Sequence, residues 1–367
     1  MKGYDSLKLR SLALLRTGLL AFCAAVSVCG VGMSVDAAAL HTHAGVSAPG
    51  KPATPSKNNR ATYTLFDVPG STDTELYDNN AAGNVTGFYR IAGVAHGFIG
   101  LADGTIITDG MDFPGATNTN TYGIDDDNSV AGTYTDAQGR PHGYVRSPDG
   151  NFTSFDPKGS KATDIYVIHD GYIPGDYADK NGRHHGFLRA PNGGIETIDV
   201  QEATDTYAYD VSNGRVVGYY FDGTTIRCFL RNSDGRIITF GVENSPDTEC
   251  VSIDENGAVT GYYSDSAGSY HGALWSAKKM KLTSFDVPGD TGGTYPNSMN
   301  NSETIVGEWE DASGVVHSFI RFRNGKIKSY DLKGSTHTNA IDINDSGEIV
   351  GYYYDGFRQR HGYQRTP

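Results

Sequence analysis

Three carboxylates and one histidine break an otherwise regular repeat, and their types are those of acid–base chemistry. Asp176 and Glu308 each sit in the middle of a Gly-x-aromatic triplet where the other copies carry Tyr219, Tyr262, Tyr352, Phe88 or Thr133. Glu310 follows beside Trp309, and His184 doubles the histidine at His185, next to Arg183. A carboxylate working with His184, or two carboxylates within about 10 Å of each other, could drive hydrolysis or elimination on a polysaccharide. The same positions are equally suited to a binding rim, on which Trp309, Tyr295, Arg183, Arg358 and Arg360 are the expected ligand contacts. No nucleophile elbow, phosphate-cradling glycine loop or Cys/His metal spacing occurs, so no cofactor and no metal site are assigned. The expectation is therefore a binding or scaffold module for a glycan or protein partner, with an extracellular hydrolase or lyase as the alternative.

The elements that must hold these residues are set by the repeat. His-Gly or a variant recurs at His96, His142, His185, Cys228, His271, His317 and His361, 43 to 46 residues apart, which is the length of one propeller blade. A glycine precedes each, at Gly87, Gly132, Gly175, Gly218, Gly261, Gly307 and Gly351, followed two residues on by an aromatic. In the second copy, Thr119 to Ile124, Ser129 to Tyr134, His142 to Arg146 and Phe152 to Asp156 read as four strands. Asp103-Gly104, Asp149-Gly150, Asn192-Gly193, Asp234-Gly235 and Asn324-Gly325 mark hairpins, expected as type I′ turns. The last copy lacks a fourth strand, and Thr64 to Gly70 matches one. The predicted fold is all-β: a seven-bladed propeller of four-stranded blades whose N-terminal strand completes the last blade.

Residues present in every blade serve the scaffold. The glycine after the histidine, which points to the other face of the third strand, is expected to admit the adjacent blade, and the histidine to bond a carboxylate or carbonyl near the preceding turn, where Asp125, Asp254, Asp342 and Asn300 recur. Asp136 to Gly139, Asp179 to Gly182, Asp265 to Gly268 and Asp311 to Gly314 lack the full oxygen spacing of a calcium loop and read as turns.

Residues 1–39 read as a cleaved export signal, with an apolar run from Leu19 to Val35 ending at Ala37-Ala38-Ala39. Residues 40–62 form a Pro/Ala/Ser linker, and 63–367 the propeller. The whole chain carries a net charge of −13, which disfavours nucleic acid and anionic membranes. A secreted or periplasmic monomer with no stable membrane insertion after cleavage is expected. Cys228 and Cys250 would remain, in an oxidising space, either as a staple between neighbouring blades or as two separate thiols.

The pattern Gly-x-Tyr, a ten-residue step and His-Gly-Phe/Tyr, intact in Gly132 to Tyr144, Gly175 to Phe187 and Gly351 to Tyr363, resembles the HAF family of extracellular repeats. The resemblance covers everything after Tyr63. It implies an exported propeller-like repeat protein and no particular activity, and this chain departs from it by carrying Gly where the family has Ala.

Overall fold

The computed structural model describes residues 61–276, 278 and 280–367; the leader and nearly all of the linker lie outside them. Twenty-eight strands and no helix make up the described residues, so none of their segments is a helix that could cross a membrane. Five four-stranded antiparallel sheets span residues 118–155, 162–198, 205–240, 248–285 and 293–330. An eight-stranded sheet divides at a single parallel pair, Asp73 with Arg360, into two more blades. One comprises residues 73–107; the other joins three strands of residues 337–366 to Thr62–Phe66, which runs antiparallel to the last strand from Thr62↔Thr366 to Phe66↔Gly362. The chain thus closes on itself as its repeat predicts, which removes the free edges an open array would expose. Side chains lock the seam: Gln364 donates to the Gly83 carbonyl at 3.0 Å and Asn344 to that of Asn80 at 3.0 Å.

The glycine after the histidine admits the adjacent blade, since a Cβ on Gly97 would lie 2.3 Å from Thr121 Oγ1 and one on Gly362 would lie 3.1 Å from Leu76 Cγ, whereas the glycine of the Gly-x-aromatic triplet serves its own blade. In six blades the first strand slips register by one residue, as between Leu76 and Asp78 or Thr121 and Gly123, and the residue before the slip faces the glycine. A Cβ on Gly132 would lie 2.0 Å from the Asn120 carbonyl oxygen, and one on Gly261 would lie 1.9 Å from that of Glu249. Backbone lies against backbone there, in blade three as well, where the register does not slip, and only glycine leaves room.

The histidine's partners also differ from expectation. They are not Asp125, Asp254, Asp342 or Asn300 but an aspartate at the end of the fourth strand and another in the turn before the histidine. His142 Nδ1 meets Asp156 at 2.7 Å, and its Nε2 meets Asp136 at 3.1 Å. His271 repeats this with Asp286 and Asp265, His317 with Asp331 and Asp311, and His361 with Asp67 and Asp355. Each ring stacks on the aromatic of the second strand, Tyr134 on His142 with centroids 5.0 Å apart and Trp309 on His317 at 4.6 Å. Two residues on, Tyr144, Phe187, Phe229, Phe319 and Tyr363 are fully buried, each adding about 1.5–3 kcal/mol of burial energy.

Blade four replaces both members of the ion pair: Arg227 faces Tyr220 where His185 faces Tyr177, and Gly241 stands for the aspartate, so Cys228 holds the place of the glycine after the histidine and not, as the sequence spacing suggests, that of the histidine itself. Cys228 is instead disulfide-bonded to Cys250 in the first strand of blade five, with Cα atoms 5.5 Å apart.

The hairpin turns are not type I′. Only the glycine takes positive φ, 89° at Gly104 and 91° at Gly150. Gly104 N–H donates to Leu101 O, while Asp103 Oδ1 accepts from Thr105 N–H. This is a type I turn followed by a left-handed glycine, in which the Asp or Asn side chain caps its own loop.

Gly132→Ala should lower stability by about 3 kcal/mol, near the upper end for point substitutions, whereas Gly139→Ala, with nothing within 4 Å, should cost about 1 kcal/mol for its positive φ alone. Urea unfolding of the two variants compares them, and equal losses would refute the close-approach account.

Desolvation works against the charged form of His142, but hydrogen bonds and charges from Asp156 and Asp136 outweigh it and raise its pKa. That contribution is complete below the unfolded value of about 6.5 and is lost as pH rises through the raised folded value. Thermal unfolding should show His142→Gln losing more stability at pH 6 than at pH 9; an equal loss at both would remove the ionised pair from the account.

Candidate functional site

First strands of neighbouring blades pack against one another and are innermost, while fourth strands form the outer edges. Near the rim that carries the second-to-third turns, the pairs Glu75↔Phe88, Asn120↔Thr133, Asp164↔Asp176, Tyr207↔Tyr219, Glu249↔Tyr262, Tyr295↔Glu308 and Asn339↔Tyr352 lie across the first two strands. In each, the second member is the residue between the repeat glycine and its aromatic, so alternation along the strand turns it away from the histidine stack. Contacts between blades join these pairs into a belt around the inner end of the ring.

Asp176, 2% exposed, is the best-anchored carboxylate of the belt. It accepts a short hydrogen bond from Tyr166 and lies 2.5 Å from His184 Nδ1. His184 is two residues before Gly186, which pairs with Asp176, so strand geometry brings the two together. Tyr166 stacks on Tyr209 of the next blade at 4.5 Å, and His184 packs beside Tyr207 at 5.1 Å. Burial raises the Tyr209 hydroxyl, and the charges of Glu249, Asp210 and Asp176 add to it. Tyr262 donates to Glu249 at 2.7 Å and packs edge-on to Tyr295, which also lies 5.4 Å from Tyr270.

On the other arc, Glu308 accepts from Asn339 of blade seven. Desolvation pushes its carboxyl up to about 7 against that hydrogen bond, and the charge of Glu310 assists. Glu75 is buried and paired with Arg360, which lies over the rings of Tyr352 and Tyr354 at 5.9 and 5.4 Å. Burial raises the Glu75 carboxyl, with Arg360 and Tyr77 opposing.

The structure thus brings Asp176 and His184 together, while Glu308 meets Asn339 and Glu310 instead. Tyr295 and Arg360 belong to the belt. Trp309 does not: its position alternates to the opposite face, where it is 9% exposed, donates to Ser329 at 2.9 Å and stacks on His317. Arg183 lies outside the belt, tied to the Ala203 carbonyl at 3.1 Å, and Arg358 is exposed on a turn with φ 66°. Glu75, Asp164, Tyr207, Glu249 and Asn339 were missed by sequence reasoning. Their signal was present, since each lies 11 or 12 residues before the repeat glycine. Among the described residues no group of three or more His, Cys, Asp or Glu side chains is arranged to hold a metal ion.

The fold and its inner belt define a β-propeller. No family model and no curated protein matches the chain. Solved structures share its architecture: a streptogramin B lyase (12% identity, 84% of this chain and 98% of that one, TM-score 0.55); a catalytically inactive virginiamycin B lyase from Staphylococcus aureus with quinupristin (14%, 84% and 100%, 0.57); and an oligogalacturonate lyase in complex with manganese (11%, 83% and 96%, 0.56). At these identities the likeness is one of fold.

Because the Glu308 pKa is raised, the stability of its protonated form is complete below the unfolded value of about 4.3 and is lost as pH rises through about 7. Glu308→Gln should therefore gain melting temperature relative to wild type between pH 5 and pH 8.5; a difference that stays flat would place the carboxyl in an ordinary environment.

Proposed function

We propose that the chain is an exported β-propeller of the HAF type, acting as a monomer, which binds a glycan at its inner belt. One observation carries the reading: half-buried tyrosines from three consecutive blades, Tyr207, Tyr219, Tyr262, Tyr270 and Tyr295, adjoin carboxylates already oriented by hydrogen bonds. Flat aromatic faces suit the C–H faces of a pyranose ring, and fixed acceptors suit its hydroxyls. Asp164, Asp176 and Glu249 give this mouth a negative field, which favours neutral or amino sugars over uronates.

A hydrolytic or lytic reading has its own support. Glu308, with its carboxyl near neutrality, has the character of a general acid, and Asp176 with His184 that of a base pair. Binding is favoured because these groups sit in different blades, each held by a separate partner.

A glycan array and a polysaccharide-degradation screen on the purified protein test both readings. Tyr219→Ala and Tyr262→Ala should each weaken glycan binding at least tenfold, with no product formed. Product made by wild type and lost in an Asp176→Asn, Glu308→Gln double variant would replace binding with catalysis. Silence in both assays would leave a protein partner as the occupant.

A further inference from the structure

Between blades five and six, on the rim opposite the belt, lies a cavity of about 350 Å3 lined by Thr283, Glu303, Arg321, Arg323 and the Asn324-Gly325 turn. Arg321 is only 6% exposed, and its Nε and Nη1 hydrogen bond to nothing among the described residues. Its guanidinium lies over the Phe285 ring at 4.7 Å. The carboxylate of Glu303 is 3.5 Å from Arg323 Nε, on the exposed side of the cavity.

The ring supplies its own comparison. Arg231 occupies the same place in blade four, and there Glu196 of the preceding blade meets Nη2 at 2.6 Å while the Gly214 and Asn232 carbonyls accept from Nη1. Glu196 is the second residue of the fourth strand Ile195–Ile198; the second residue of the corresponding strand Leu282–Phe285 is Thr283. Blade five thus puts a neutral, shorter side chain where blade three puts the counter-charge, and the cavity opens beside the guanidinium. An arginine stays charged in a protein, and burying it with no hydrogen-bonded partner at Nε or Nη1 and only the charge of Glu303 nearby is costly. A planar or tetrahedral oxyanion matches its fork of donors.

We propose that this cavity is an oxyanion site, which takes a carboxylate, sulfate or phosphate group on Arg321 with Arg323 at its entrance. The sister cavity between blades two and three marks the specificity. Arg189 stands opposite Thr153 there, also with an unbonded Nε, but Asp125, Asp126, Asp127 and Asp170 wall that cavity of about 520 Å3 and repel anions. The site is separate from the belt, so it stands whether or not the belt binds a glycan.

Isothermal titration of the purified protein with sulfate, phosphate and acetate, at constant ionic strength in chloride, tests the proposal and shows which oxyanion is preferred. At least one should bind to wild type. Thr283→Glu, which supplies the internal partner that Glu196 gives Arg231, should weaken binding at least tenfold with the melting temperature retained. Glu303→Gln should strengthen it severalfold by removing a repelling charge, and Thr153→Glu at the sister cavity should leave it within twofold. No binding of any of the three anions to wild type, or equal affinity in wild type and Thr283→Glu, would overturn the assignment.

Discussion

A carbonyl oxygen that passes within about 2 Å of where a Cβ would stand is the constraint on which much of this structure depends. It recurs in all seven blades, from Glu75 O over Gly87 to Asn339 O over Gly351, and it fixes where the first strand meets the second. The pairing register that follows decides which residues face inward. Because side chains alternate, the residue after each glycine joins the inner belt and the next one stacks on the histidine. One backbone contact therefore sorts belt positions from stacking positions seven times over.

The blades need further ties, and the chain uses different chemistry for the same purpose. Most blades lock their third strand with an imidazole held between two carboxylates and covered by an aromatic ring. Blade four has Arg227 and Gly241 in place of the histidine and its aspartate, and links Cys228 to its neighbour through Cys250. At the junction of the first and last blades, where closure depends on one short N-terminal strand, the buried Glu75 pairs with Arg360 and side-chain amides reach backbone carbonyls. Carboxylates also bridge the blades deeper in: Asp78 accepts from Ile124 N–H at 2.8 Å and Asp210 from Ile253 N–H at 2.9 Å. Burial of the former beside Asp342 raises its pKa well above the usual carboxylate range. Such groups trade desolvation for fixed geometry.

Electrostatics divides the two rims. The belt gathers carboxylates and tyrosines, so burial and neighbouring negative charge raise the hydroxyls of Tyr166, Tyr262 and Tyr352 well above their ordinary range and keep them donors at neutral pH. On the opposite rim the arginines that end the third strands are treated individually. Arg146 reaches the Gly110 carbonyl at 2.8 Å and Arg231 reaches Glu196, whereas Arg321 has neither kind of partner. Repetition supplies the position and each neighbouring strand supplies the environment, which is how a symmetric scaffold acquires asymmetric sites.

The repeat period, the turn residues and the matching of Thr64 to Gly70 with a missing fourth strand determined the propeller and its closure by themselves, because periodicity and strand count are linear properties of the chain. The placing of Asp176 and Glu308 at inward-facing positions was legible for the same reason: a departure from a repeat marks its own register. Tertiary structure decided what those residues touch. It paired His184 with Asp176 and gave Glu308 to Asn339, turned Trp309 into a buried stacking partner, and handed the repeat histidines to the aspartates that follow each fourth strand, Asp67 at the other end of the chain among them. It also showed that the hairpin glycines alone take positive φ, and that Thr283 leaves Arg321 without the counter-charge that Glu196 gives Arg231. Partners of this kind lie in other strands or other blades, and their meeting depends on bulge, twist and ring closure together, none of which is a property of local sequence.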